Sequence, residues 1–255
     1  MYIPPGYLPV SRIVLSPGGK VMAFVDVASS GYLTHVRVSD VVTGQLITTV
    51  TDRRGVDGAA LSSGGKMLAT LDVNGSTDLR NTATGQLIAT LADPRGAGGE
   101  SGQTAAFSPD GKILAVADAG GDISLLDVAS RRLAGSFTYP GTGSIAGIAF
   151  SPDGKTLAIF DDNNHTYLTT VPTGAEIAAL TDPYRSGGAV AVAFSADGRT
   201  LATFDYGHLY LWNTATRHLI TTWTSPGIRV LAFSADGKTL TAVCGNGHAR
   251  QWKLS

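Results

Sequence analysis

Apolar residues along this chain come in short runs bounded, again and again, by the same polar turn. The run Ile145-Ala146-Gly147-Ile148-Ala149-Phe150 leads into Ser151-Pro152-Asp153-Gly154-Lys155, and Thr156-Leu157-Ala158-Ile159-Phe160 follows. Both runs are rich in residues that suit a pleated, buried surface. Between them, Ser opens a tight turn, Pro brings a φ already set for the second position, and Gly takes a position where φ is often positive. The pattern predicts a β-hairpin. It recurs at Ser16-Pro17-Gly18-Gly19-Lys20, Ser62-Ser63-Gly64-Gly65-Lys66, Ser108-Pro109-Asp110-Gly111-Lys112, Ser195-Ala196-Asp197-Gly198-Arg199 and Ser234-Ala235-Asp236-Gly237-Lys238.

The turn glycines, Gly19, Gly65, Gly111, Gly154, Gly198 and Gly237, stand 46, 46, 43, 44 and 39 residues apart. A period near 40–45 residues with four short strands per unit is the signature of a β-propeller blade. The fifth unit shows the four strands: Val190–Phe194, Thr200–Phe204, Leu209–Trp212 and His218–Trp223, here termed a to d. Strands a and b are almost continuously apolar, as expected where both faces of a sheet pack on neighbours. The c–d connections carry turn residues of their own, as in Thr82-Ala83-Thr84-Gly85-Gln86 and Val42-Thr43-Gly44-Gln45. The expectation is an all-β fold: residues 1–255 as one propeller of six four-stranded antiparallel blades. The first unit carries about five extra residues between strands b and c, at Val27 to Leu33. The sixth unit ends at Gln251-Trp252-Lys253-Leu254-Ser255, the end of its strand c, so Met1-Tyr2-Ile3 is expected to supply strand d and close the ring, the alternative being a longer parent of seven or eight blades.

Composition narrows the function classes. With 43% apolar residues the chain can bury a sizeable core, while 15% charged residues and a formal net charge of −1 give no bulk attraction to nucleic acid or an acidic membrane. A single cysteine, Cys244, excludes an internal disulfide framework and fits a reducing compartment. Neither a leader-like N-terminus nor an apolar run of membrane-spanning length is visible, so a cytoplasmic, monomeric protein is expected.

The core Phe-Ser-Pro-Asp-Gly-Lys-x-Leu-Ala, seen from Phe150 to Ala158, resembles the WD40 repeat, and the resemblance extends over all six units. The Trp-Asp that ends strand c in that family is represented by Trp212-Asn213, Leu126-Asp127, Arg80-Asn81, Ser39-Asp40, Thr169-Thr170 and Trp252-Lys253. The family's Gly-His dipeptide is missing from the d–a loops. Gly207-His208 and Gly247-His248 lie between strands b and c instead, so the resemblance does not carry the family's buried His-Asp-Ser/Thr-Trp network over to this chain. The d–a loops carry Asp93-Pro94-Arg95 and Asp182-Pro183-Tyr184-Arg185. That variant is similar to bacterial WD40 arrays, some of them fused behind serine/threonine kinase domains, although no kinase motif occurs in this chain.

Several constellations invite chemistry. Seven residues beyond the turn glycines stand Asp26, Asp72, Asp118, Asp161 and Asp205, with Cys244 sixth. They could form an acidic ring that holds a cation through oxygen ligands. Alternatively, each accepts N–H bonds from its own b–c turn, and regular recurrence favours this second role. His165, His208 and His248 occupy similar places in successive units, but strand c lies about 10 Å outside the innermost strand, too far for one zinc. The basic residues at the hairpin tips, Lys20, Lys66, Lys112, Lys155, Arg199 and Lys238, are offset in four units by an Asp two residues earlier. The glycine run from Gly96 to Gly102 lacks the Gly-Lys-Ser/Thr of a phosphate loop, and neither a Gly-x-Ser-x-Gly elbow nor a His-Glu-x-x-His pair occurs.

No catalytic, cofactor or metal residue is therefore expected. The leading expectation is a non-catalytic scaffold or sensor module that binds a protein partner. The alternative is a propeller hydrolase or lactonase with a metal in the central channel. Loops on a rigid scaffold are where binding concentrates. The d–a loops hold Arg53, Arg54, Arg95, Tyr184, Arg185 and Arg229, residue types favoured at interface hot spots. These six form the expected partner-binding face.

Overall fold

The computed structural model describes residues 10–17, 19–27, 33–72, 75–92, 104–118, 120–183, 191–205, 207–234, 236–244 and 249–254. Their strands follow the repeat. Blade 1 consists of β1 (Val10–Leu15), β2 (Val21–Val27), β3 (Thr34–Asp40) and β4 (Leu46–Asp52). Blade 2 has β5 (Val56–Leu61), β6 (Met67–Asp72), β7 (Ser76–Asn81) and β8 (Leu87–Ala92). Blade 3 has β9 (Thr104–Phe107), β10 (Ile113–Ala117), β11 (Asp122–Asp127) and β12 (Arg132–Thr138). Blade 4 has β13 (Ile145–Phe150), β14 (Thr156–Asp161), β15 (His165–Thr170) and β16 (Glu176–Thr181). Blade 5 has β17 (Ala191–Phe194), β18 (Thr200–Phe204), β19 (His208–Asn213) and β20 (Leu219–Thr224). Blade 6 has β21 (Ile228–Phe233), β22 (Thr239–Cys244) and β23 (Ala249–Lys253).

Every sheet is an antiparallel meander with its strands in chain order. The innermost strands touch in sequence, β1 to β5, β9, β13, β17 and β21, and β21 returns to β1. That closed circuit makes the all-β six-bladed propeller. Blade 6 has three strands among the described residues. The proposed fourth, Met1-Tyr2-Ile3, lies outside them, as does most of the extra b–c segment of blade 1.

The core consists of the seams between blades. One apolar cluster joins Val36, Val38 and Val50 of blade 1 to Val56, Ala59 and Leu68 of blade 2. Further clusters join blades 2 and 3, 3 and 4, 4 and 5, and 5 and 6 in the same manner. Being covered on both faces explains why strand b is buried along almost its whole length, as in β14 and β6. The outer strand d is covered on one face only, and Leu46, Ile47, Leu87, Ile88 and Ile220 are left exposed.

The repeated hairpin forms as its residues dictate. In blade 4, Gly154 N–H donates to Ser151 C=O (2.9 Å) at a φ of +70°. The Ser151 hydroxyl accepts from Thr156 N–H (2.9 Å) and donates to Asp153 (2.6 Å), which itself accepts from Lys155 N–H (3.1 Å). Successive tips overlap around the ring. At Gly65, with φ +65°, an added Cβ would lie 2.5 Å from Val21 Cγ2 of the preceding blade. Gly111, Gly154 and Gly198 face Met67, Pro109 and Pro152 in the same way, at ordinary contact distance.

Candidate functional site: the loop face and the channel mouth

The b–c and d–a connections lie on the face opposite the hairpin tips. The aspartate series ends strand b there, and its oxygens serve the turns. Asp72 accepts from Ser76 N–H (2.9 Å), and Asp118 accepts from Asp122 N–H (2.8 Å). Asp161 accepts from Asn163 N–H (3.1 Å) and His165 N–H (2.8 Å), and Asp205 from Gly207 N–H (3.1 Å) and His208 N–H (2.8 Å). Asp26 differs, forming a 2.7 Å ion pair with Arg37. Among the described residues, no cluster of three His, Cys, Asp or Glu is placed to hold a metal ion. His165 and His208 each lie beside the aspartate of their own blade, at 3.6 and 3.5 Å.

A carboxylate also ends strand d at Asp52, and the seam between blades 1 and 2 gathers three acids there. Arg54 reaches Asp72 (2.9 Å), Asp78 (2.5 Å) and Asp52 (3.4 Å), while Arg80 approaches Asp78 at 2.8 Å. The carboxylates are 3–4% exposed and the Arg54 side chain 43%, so the guanidinium forms a lid of positive charge over buried anions. Burial opposes the charge on Arg54, but the hydrogen bond to Asp52 and the fields of Asp78, Asp52 and Asp72 prevail and raise its pKa. Asp78 is also held by Thr90 Oγ1 at 2.7 Å. Arg54, one of the expected interface residues, is thus committed to this network.

The seam between blades 4 and 5 has the same carboxylate positions and different companions. Sheet register equates Tyr210 with Asp78 and Trp212 with Arg80, because Thr70 pairs with Asp78 as Thr203 pairs with Tyr210. Trp212 Nε1–H donates to Thr203 Oγ1 (3.0 Å), whose hydroxyl donates to Asp182 Oδ1 (3.4 Å). The Tyr210 hydroxyl donates to Asp205 Oδ2 (3.0 Å). Where blade 2 has Asp78 and Arg80, the neutral Tyr210 and Trp212 stand here, and burial, followed by Asp205 and then Asp161, pushes the pKa of Asp182 up to about 8, against the Thr203 hydrogen bond that lowers it. Asp182 Oδ2 and Asp161 Oδ2 are buried without a hydrogen-bond partner among the described residues. Trp212, Thr203 and, from the d–a connection, Asp182 thus form a hydrogen-bonded chain in blade 5.

Of the other expected interface residues, Arg53 and Arg229 are exposed on this face. Neither has a hydrogen bond or ion pair with another described residue, unlike Arg54. Arg95, Tyr184 and Arg185 lie outside the described residues. Arg229 stands at a β-bulge between Ile228 and Val230, and Asp57 occupies the matching bulge between Val56 and Gly58 of β5. Such bulges re-aim a side chain out of the ladder. Arg12 of β1 completes the group: burial lowers its pKa, and the field of Asp57 acts against that. Below these residues runs a central channel of about 750 Å³, lined by all six innermost strands.

The family model for WD domain, G-beta repeat, matches residues 216–253, which take in β20 and all of β21 to β23. No curated protein matches the chain. The match and the ring of six repeated sheets together support a WD40-repeat propeller family for this chain.

Proposed function

We propose that the protein is a non-catalytic interaction module that binds a protein partner on the face of the b–c and d–a loops. One contrast carries this reading. On that face Arg53 and Arg229 present guanidinium groups with no described ion-pair partner, whereas in four of the six hairpin tips an aspartate two residues earlier offsets the basic residue. Each of Asp110, Asp153, Asp197 and Asp236 accepts a serine hydroxyl and the N–H of the following basic residue. Their pKa values fall below the usual carboxylate range, the serine hydrogen bond being the largest cause. A face on which four of six blades repeat the same offset Asp and basic residue offers little to distinguish one partner from another. Exposed Arg beside varied loops supplies planar donors and large contact area.

The test is affinity capture with the intact chain, followed by titration of the captured partner against variants. Arg53→Glu and Arg229→Glu should each weaken binding about tenfold, roughly 1.4 kcal/mol, without moving the thermal melt. Arg95→Glu and Arg185→Glu belong in the same set, and Lys112→Glu and Lys155→Glu should bind as the native chain does. Loss of binding confined to the lysine pair would place the partner on the opposite face.

A further inference from the structure

From the lining of the central channel we propose a ligand site for a small amphiphilic carboxylate, its anionic group at the loop-side mouth and its slender apolar body in the bore. Among the described residues, the charged side chains lining the channel are Arg12 and Arg229. Both stand toward the loop end of adjacent blades, on β1 and β21, which touch. Beyond them the wall is mostly apolar and mixes small residues, among them Ala60, Ala106, Ala149 and Ala232, with larger ones such as Leu61 and Phe150. Among the described lining residues, the uncharged polar side chains are Thr104 toward the loop end and serines toward the hairpin end, such as Ser16 and Ser63.

The size suits a small molecule, since ligand sites commonly occupy ~300–1,000 Å³ and combine apolar walls with a few placed polar groups. The polarity of the ligand follows from the charges. Arg12 is half-buried; burial lowers its pKa and the field of Asp57 acts against that. A second positive group, Arg229, stands at the same mouth. A carboxylate at that mouth would meet two guanidinium groups, while an ammonium would meet repulsion. A thin body is required because the innermost strands have a free edge toward the bore. Their backbone groups must keep water, which a bulky ligand would displace without replacing its hydrogen bonds.

The site does not depend on the partner-binding reading, and its test is separate. Octanoate, octan-1-ol and octyltrimethylammonium are titrated calorimetrically into the intact chain, below micelle-forming concentrations. Octanoate should bind saturably and the other two at least tenfold more weakly. Arg229→Gln, an exposed position, should weaken octanoate about fivefold or more. Ala149→Phe, which fills the bore at a position outside the inter-blade clusters, should abolish binding while leaving the melt near its native value. Arg53→Glu should leave octanoate binding intact. Absence of saturable octanoate binding at millimolar concentration, equal binding of the ammonium, or native affinity in Arg229→Gln would each overturn the proposal.

Discussion

Arg54 Nη1 lies 2.9 Å from Asp72 Oδ2, so a residue of the loop leaving blade 1 holds the end of an inner strand of blade 2. With Asp52 and Asp78 on the same guanidinium, this contact is the electrostatic seal of that seam.

Removing the seal should be costly. Arg54→Ala leaves three buried carboxylates with Arg80 alone, and the expected loss is roughly 2–4 kcal/mol in urea unfolding, given that breaking buried pairs typically costs 3–5 and that Arg54 is partly exposed. Arg54→Lys should recover only part of it, because one ammonium cannot span three acids as a planar fork does. A loss within about 0.5 kcal/mol in Arg54→Ala would show the network to be ornamental.

The seam between blades 4 and 5 should respond to pH in the opposite sense from ordinary surface carboxylates. Asp182 titrates near 3.8 when unfolded and at about 8 when folded, so the folded state binds the extra proton between those values. Its contribution to stability is complete below the lower value and is lost as pH rises through the upper one, with a slope of at most about 1.4 kcal/mol per pH unit. Melts recorded from pH 6 to 9 should fall in the native chain and flatten in Asp182→Asn. An identical pH profile in the two proteins would remove this account.

At the aspartates that end strand b, turn bracing predicts similar effects in separate blades. Asp118→Ala and Asp161→Ala should each cost about 1–2 kcal/mol, the scale of a buried carboxylate-to-amide bond lost together with its turn. Calcium should leave the melt of the native chain unchanged. A calcium-dependent rise that either substitution abolishes would point instead to a metal site.

The hairpin serine is equally accessible to test. Ser151→Ala removes the acceptor for Thr156 N–H and the donor to Asp153, and should cost about 1 kcal/mol. Ser151→Thr, which keeps the hydroxyl, should cost less. Equal losses in the two variants would shift the cause from the hydrogen bonds to packing.

What could be read in the sequence was what local chemistry writes. The hairpin declares itself in five consecutive residues, and strand b of blade 5 runs over the residues its pattern indicates, Thr200 to Phe204. The residue that ends strand c is explained in the same way. Asp40, Asn81 and Asn213 each accept N–H groups of the following turn, so Asn serves as well as Asp. The ion network was not legible, because Arg54 and Asp78 are brought together by packing between blades rather than by a turn. One signal existed: Asp78 and Arg80 interrupt, on one face, a strand whose counterpart in blade 5 carries Tyr210 and Trp212. The elevated pKa of Asp182 was hidden for the same reason. Its sequence context resembles that of Asp52, and only the identity of its neighbours across the seam separates the two.

The overlapping hairpin tips have a consequence for how such a chain can change over time. Gly65 leaves no room for a side chain beside Val21, and Ser63 Oγ reaches the Pro109 carbonyl of the next blade at 2.8 Å. A blade is therefore not a free-standing module that can be exchanged for any other copy. Blade 2 carries, in the bulk of its turn, an imprint of the blade before it, so viable substitutions at that seam should travel in pairs one repeat apart, and transplanting this blade to a new place in the ring means refitting both of its neighbours.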